Sequence, residues 1–146
     1  MYDDNDDDRS NQKPAIDSDS LESLRQLIEA AGIEDLESIS PEEGVEMYLT
    51  DRKQELRQTS INTHRSALNF LLKWCQDRNL DDLNELTGRL LHEFRVWRRE
   101  DAPTKVESLA KETEKTQQDI LRQFIRYCES IDAVKIGLSE KVRSPS

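Results

Sequence analysis

The residues best suited to chemistry in this sequence lie in two polar runs. The first, Thr59-Ser60-Ile61-Asn62-Thr63-His64-Arg65-Ser66, carries hydroxyls, an amide, an imidazole and a guanidinium, with Ile61 its only large apolar residue. The second is Glu112-Thr113-Glu114-Lys115-Thr116-Gln117-Gln118. Each leads into an apolar run. The first continues through Phe70, Leu71, Leu72 and Trp74 to Cys75, and the second through Ile120, Leu121, Phe124 and Ile125 to Cys128. The apolar spacing is helical. A helix anchored at its far end and polar at its start offers short donors, backbone N–H groups without intrahelical partners and the positive end of the helix dipole. That combination suits phosphate oxygens and base edges. The plainer alternative is a buried helix with an ordinary polar first turn.

Other chemistries find less support. His64 and His92 fall on separate predicted helices without zinc-ligand spacing. His64 sits where it could hydrogen-bond a phosphate or a base, and His92 reads as a helix-surface residue. Glycines at 32, 44, 88 and 137 are isolated, so no phosphate-cradling loop is present. Carboxylates scatter along solvated faces and form no acid–base pair. Trp74 and Trp97 read as core residues, not as stacking platforms. Cys75 and Cys128 read as small core residues of a reducing compartment. The expectation is no catalytic residue, no metal, no cofactor and no small-molecule substrate.

The elements that must hold the two runs follow in order. Residues 1–19 include Asp3, Asp4, Asp6, Asp7 and Asp8 and almost nothing apolar, which predicts a disordered arm. Ser20 can cap a short helix carrying Leu21, Leu24, Leu27, Ile28 and Ala31 and ended by Gly32. Its stripe must pack on the bundle or on another subunit. Ser40-Pro41-Glu42-Glu43 is a helix start of capping-box type, after which Val45, Tyr48, Leu49 and Leu56 face inward. The first polar run opens the next helix, to about Asn79. Leu80, Leu83 and Leu86 dock a connection, and Thr87 caps a helix with Leu90, Leu91, Phe94 and Trp97 inside and Arg95, Arg98 and Arg99 as a basic edge. Residues 101–111 form a loop, the last long helix spans about Lys111 to Ser130, and a polar tail follows.

At 146 residues, with charged residues at 36% exceeding apolar ones at 34%, the chain supports one domain with a modest core. No run is long enough to span a membrane and the acidic start is no signal peptide, so a cytoplasmic protein is expected. The net charge of −10 is unevenly placed. Residues 1–56 hold 17 acids against 5 bases, while 57–146 hold 14 acids against 16 bases. The half with both polar runs is thus slightly basic.

One family combines these features. The spacing Thr59-x3-Thr63-x-Arg65, then Leu71-x2-Trp74-Cys75, then Leu83-x2-Leu86-Thr87, then Thr113-x2-Thr116-Gln117 and Leu121-x2-Phe124 resembles the core-binding domain of tyrosine recombinases, the SAM-like N-terminal domain of phage integrases. Leu83-Asn84-Glu85-Leu86-Thr87-Gly88-Arg89, with Phe94-Arg95-Val96-Trp97-Arg98-Arg99, is most similar to the haloarchaeal branch. The surplus of carboxylates agrees with concentrated intracellular salt. Such salt weakens phosphate contacts, so binding there must lean on hydrogen bonds, shape and avidity. The match covers about residues 40–145.

The resemblance implies an all-α fold: a four-helix SAM-like core-binding bundle at 40–138, an added N-terminal helix and connector at 20–39, the disordered acidic arm at 1–19, and a tail at 139–146 leading towards an absent catalytic domain. It implies a DNA-binding module that clamps double-stranded DNA in integration and recombination. By resemblance, the matching contact positions are Thr59, Thr63, His64 and Arg65 on one helix and Thr113, Lys115, Thr116 and Gln117 on the other. Two such helices side by side would present both polar starts to one surface, with Glu112 and Glu114 as departures where a phosphate-facing surface prefers bases. The family cuts DNA with a tyrosine in a C-terminal domain, assisted by two arginines, a lysine and histidines. Tyr2, Tyr48 and Tyr127 lack the His-x-x-Arg context, so no strand cleavage is expected. Recombinase subunits or a separate catalytic domain are further partners. The rival reading is a helical module that pairs with recombinase subunits through its leucine stripes, with residues 20–31 central. A positive strip joining Arg65, Lys115 and the Arg95–Arg99 edge would favour DNA; an acidic surface would favour protein.

Overall fold

The computed structural model describes residues 18–31, 36–100 and 110–143. All regular structure within them is helical: α1 Ser18–Ala31, α2 Pro41–Arg52, α3 Gln58–Asp77, α4 Gly88–Glu100 and α5 Lys111–Ser130, with 3-10 turns at Leu83–Glu85 and Leu138–Lys141. The fold is all-α. The Asp-rich arm, the Gly32 stop, Tyr2 and residues 101–109 of the loop expected at 101–111 lie outside the described residues.

The helix α1 belongs to one compact unit and everything from Asp35 onward to another. Taken by itself, α1 starts at Ser18, ahead of the Ser20 cap expected for it, and leaves Leu21, Leu24 and Leu27 exposed at 50%, 49% and 67%.

In the second unit, α2 begins as its sequence requires. Pro41 occupies the first turn, where its missing N–H costs nothing, and the Ser40 hydroxyl accepts from the Glu43 N–H at 3.1 Å. Thr87 caps α4 through the Leu90 N–H at 3.2 Å. The core forms where α2 packs on α3 and α5, α3 packs on α5 and α4, and the turn at Leu138–Lys141 closes over α4 and α5. Val45, Tyr48, Leu49, Leu68, Leu71, Trp74, Leu83, Phe124 and Ile125 are buried there. Two aromatic groups organise it. Tyr48 meets the Phe124 and Tyr127 rings edge-on at 5.6 and 5.7 Å, and Trp74 meets Phe94 at 5.5 Å. Gly44 lets α2 approach the connection so closely that a Cβ there would collide with the Leu83 side chain.

The helices α3 and α5 are built alike. Each has 20 residues, and their N-caps, Arg57 and Ala110, make no side-chain capping bond. Each ends on a left-handed residue of a type that tolerates it, Asn79 at φ 56 and Asp132 at φ 62. The Leu80 N–H reaches the Cys75 carbonyl at 2.8 Å and the Ala133 N–H the Cys128 carbonyl at 2.9 Å. Cap, cysteine and stop recur at one sequence interval.

Hydrogen bonds tie residues on either side of 40–138 to the bundle. Asp82 accepts from the Ser38 hydroxyl and from the Ile39 and Asn84 N–H groups, and Glu37 N–H reaches Asp132 O at 2.7 Å. Burial would raise the Asp82 pKa, but the bonds from Ser38, Asn84 and Ile39 outweigh it and hold it below the ordinary carboxylate value. At the other end the tail expected from 139 is packed through Val142. Ser139 N–H bonds Glu129 Oε2 at 2.7 Å, and Arg122 Nη2 donates to Val142 O at 3.0 Å. Leu138 and Val142, four apart in a polar stretch, are too sparse a pattern to signal this from sequence.

Candidate nucleic-acid interface

A polar trough runs between α3 and α5. It comprises two adjoining hollows of about 350 and 300 Å³ that share Thr63, Thr116 and Ile120. The first extends to Ser66 and Ala67 on α3 and to Glu112, Thr113 and Gln117 on α5. The second extends to Ser60 and His64 on α3 and to Asp119 and Gln123 on α5. Early α3 residues therefore lie beside later α5 residues, and the helices pass in opposite senses. The expectation that both starts face one surface side by side is corrected. The starts stand at opposite ends of the trough, and Thr63 meets Thr116 in the middle. Packing dictates this. Tyr48 holds the start of α3 to Phe124 and Tyr127 late in α5, and Arg98 links Phe70 in mid-α3 to Gln117 early in α5.

Of the residues singled out from sequence, Thr63, His64, Thr113, Thr116 and Gln117 line the trough. Thr63 Oγ1 donates to Thr59 O at 3.1 Å, which leaves its oxygen lone pairs available. Gln117 Oε1 accepts from Arg98 Nε at 2.9 Å, so its amide donors are the groups left over. Thr59 is exposed on the first turn of α3, outside the trough. Lys115 is exposed and makes no ion pair with a described residue.

Two residues depart from expectation. His64 is only 9% exposed, with Nδ1 2.9 Å from the Tyr48 hydroxyl, so the ring faces the core and offers the trough only an edge. Arg65 turns from the trough towards α2, where Nη1 and Nη2 grip Glu46 Oε2 and Oε1 at 2.6 and 3.3 Å. The hydrogen bond from Arg65 holds the Glu46 carboxyl below its usual range and raises the Arg65 guanidinium in turn.

The positive strip does not form among the described residues. Glu114 is only 5% exposed and accepts from Arg95 Nε at 2.7 Å and Arg99 Nε at 3.1 Å. Those bonds overcome the desolvation that would raise its pKa, and it stays low. Arg98 is itself buried, its guanidinium carbon 3.6 Å from the Phe70 ring centre. The basic edge read on α4 is thus already engaged: Arg95 and the half-exposed Arg99 share Glu114 as counterion, and Arg98 is bonded to Gln117. The exposed bases near the two helix starts are Arg57 at one end and Lys111 and Lys115 at the other.

The Tyr48–His64 pair has the form of a nucleophile beside a base, but burial removes that role. Tyr48 is 1% exposed and its hydroxyl pKa is pushed up to about 12 by desolvation, while His64 is held below its ordinary value for the same reason, with Arg52 adding to the effect. The Cys75 thiol is likewise pushed up to about 12 by burial, and Cys128 is raised further. No cluster of three metal-ligating side chains occurs among the described residues.

Sequence reasoning missed Ser60, Ser66, Glu112, Asp119 and Gln123 as trough residues. The signal was present: 60, 63, 64 and 67, and 112, 113, 116, 119, 120 and 123, are single helical faces.

No protein-family model matches the sequence, and no curated protein matches it. Among solved structures, the chain is similar to the N-terminal domain of a phage integrase/site-specific recombinase from Haloarcula marismortui, at 29% identity and a TM-score of 0.68. The match covers 75% of this chain and 99% of that one. The resemblance read from the residues therefore holds in fold and in sequence.

Proposed function

We propose that the bundle is a DNA-contacting module of a site-specific recombinase, and that the α3/α5 trough is where it meets duplex. The observation that carries this reading is the trough's composition. Hydroxyl and amide side chains line the middle beside Ile120, the carboxylates of Glu112 and Asp119 also line it, and an uncapped helix start with exposed bases stands at each end. Phosphates suit the ends, where backbone N–H groups lack partners and Arg57, Lys111 and Lys115 add charge. Base edges suit the middle, where Thr63, Thr113, Thr116 and Gln117 can donate and accept. The module is non-catalytic on this reading, since Tyr48 and Tyr127 are bundle residues whose pKa values burial raises. A cytoplasmic setting goes with it.

The test is an anisotropy titration of duplex DNA at several salt concentrations. The parent should bind, and Lys111→Ala with Lys115→Ala should weaken binding and flatten its dependence on log salt by about one unit for each phosphate no longer neutralised. Thr63→Ala with Thr116→Ala should instead reduce sequence preference. A parent that binds no duplex in low salt would sink the reading.

One observation favours a second reading, a module that pairs with other proteins: Leu21, Leu24 and Leu27 form an exposed apolar stripe on α1. Deleting residues 18–31 would then abolish association and leave DNA binding unaffected.

A further inference from the structure

We propose that Arg98 fixes which end of the Gln117 amide the trough presents, so that this position reads guanine and rejects adenine. The inference rests on the DNA-contacting reading above and names the positioning residue that sets base preference within it.

A glutamine amide has two ends of similar shape and opposite chemistry, a carbonyl that accepts and an NH2 that donates. Free to turn, it offers both at once. The matching base is then adenine, which shows an amine beside an acceptor nitrogen in the major groove. Gln117 is not free to turn. Its Oε1 accepts from Arg98 Nε at 2.9 Å. A guanidinium carries donors only, so the carbonyl and not the NH2 must face it. Arg98 is held in its turn: it is 7% exposed, and its guanidinium carbon lies 3.6 Å from the Phe70 ring centre. Turning the amide over would set NH2 against that guanidinium and leave a buried charge without its acceptor.

Gln117 lines the same hollow as Thr63, Thr116 and Ile120, so its outward end meets whatever occupies the trough. Its Nε2 bonds no described residue. With Oε1 drawn to the buried Arg98, the two N–H groups of Nε2 are what remains for a ligand. Guanine offers them two adjacent acceptors, N7 and O6. Adenine sets an amine of its own against them, and cytosine presents only an amine. Thymine keeps one acceptor, O4, and ranks between.

The experiment selects duplexes from a randomised pool on the full chain and reads base frequencies by sequencing. It compares the parent with Gln117→Ala, Gln117→Glu, Arg98→Met and Arg98→Lys, and circular dichroism reports the folding of each. The parent should enrich guanine over adenine about ten-fold at one position, and Gln117→Ala should level that position alone. Gln117→Glu keeps an acceptor for Arg98 and turns the outward group from donor to acceptor. Preference there should pass from guanine to cytosine. Arg98→Met should let the amide turn and bring adenine to within about two-fold of guanine. Arg98→Lys still donates to Oε1 and should restore guanine. A merely structural Arg98 would lower affinity without moving that ratio. Adenine at the position sensitive to Gln117, or no such position, would overturn the inference and leave the DNA reading standing. A guanine preference that survives Gln117→Glu or a folded Arg98→Met would do the same. If Arg98→Met does not fold, Gln117→Glu decides the case. No duplex retained by the parent or any variant would overturn both.

Discussion

The Tyr48 hydroxyl and the His64 imidazole meet at 2.9 Å inside the bundle, with their rings nearly parallel at 5.9 Å. Tyr48 comes from α2 and His64 from α3, so one hydrogen bond ties the start of α3 to the core. A histidine that sequence alone places beside DNA is instead a buried strut.

This has a pH consequence. The folded His64 pKa lies below its ordinary value of 6.5, because burial penalises the charged ring. The unfolded chain therefore binds the proton first. Stability from this residue is complete above about 6.5 and falls as pH drops from there towards the folded value. Urea unfolding at stepped pH should show the decline in the parent and not in His64→Gln. Tyr48→Phe should cost about 1–3 kcal/mol by leaving the ring nitrogen without its partner.

Glu114 should behave as the keystone of the α4–α5 contact. Glu114→Gln strands Arg95 and Arg99 and should cost about 3–5 kcal/mol in chemical denaturation. Because its folded pKa is depressed below 4.5, the stability it supplies is present above that value and is lost as pH falls further. Acid unfolding of the parent below pH 4.5 should therefore be steeper than that of the variant.

Gly44→Ala should destabilise by about 1–3 kcal/mol, since the new methyl meets the fully buried Leu83 side chain. Combined with Leu83→Ala the two losses should not add. A double-mutant cycle with zero coupling would show that the close approach of α2 to the connection is not what constrains position 44.

Trp74→Ala should cost about 3–5 kcal/mol by opening a cavity against Phe94. Any loss of DNA binding should track the unfolded fraction measured by circular dichroism, and a folded variant that no longer binds would make Trp74 a DNA-touching residue after all.

Local signals in the sequence read well where one residue type forces one geometry. Ser40-Pro41, Thr87, the docking leucines and the bounds of α5 fall where their chemistry puts them. The site was less legible, because sequence reports which residues are polar and not which way two helices cross. The opposed passage of α3 and α5 is set by Tyr48 and Arg98, each touching both helices, and neither carries a local signature of that role. Charge was the hardest to read. Arg65, Arg95 and Arg99 look like a surface from sequence, and their counterions, Glu46 and Glu114, lie 19, 19 and 15 residues away.

The trough spans Ser60 to Ala67 along α3. At about 1.5 Å of rise per residue this is about 10 Å, and the stretch from Glu112 to Gln123 along α5 is about 16 Å. A duplex seated along it would pass about three to five base-pair steps of about 3.4 Å. With each wrong base pair costing about 1–3 kcal/mol, one copy could tell apart only short words of sequence. Such words recur throughout any genome. Selecting a single long site would then require several copies of the trough held in register on the same DNA, so the information needed for targeting would reside in how copies are spaced and not in any one of them.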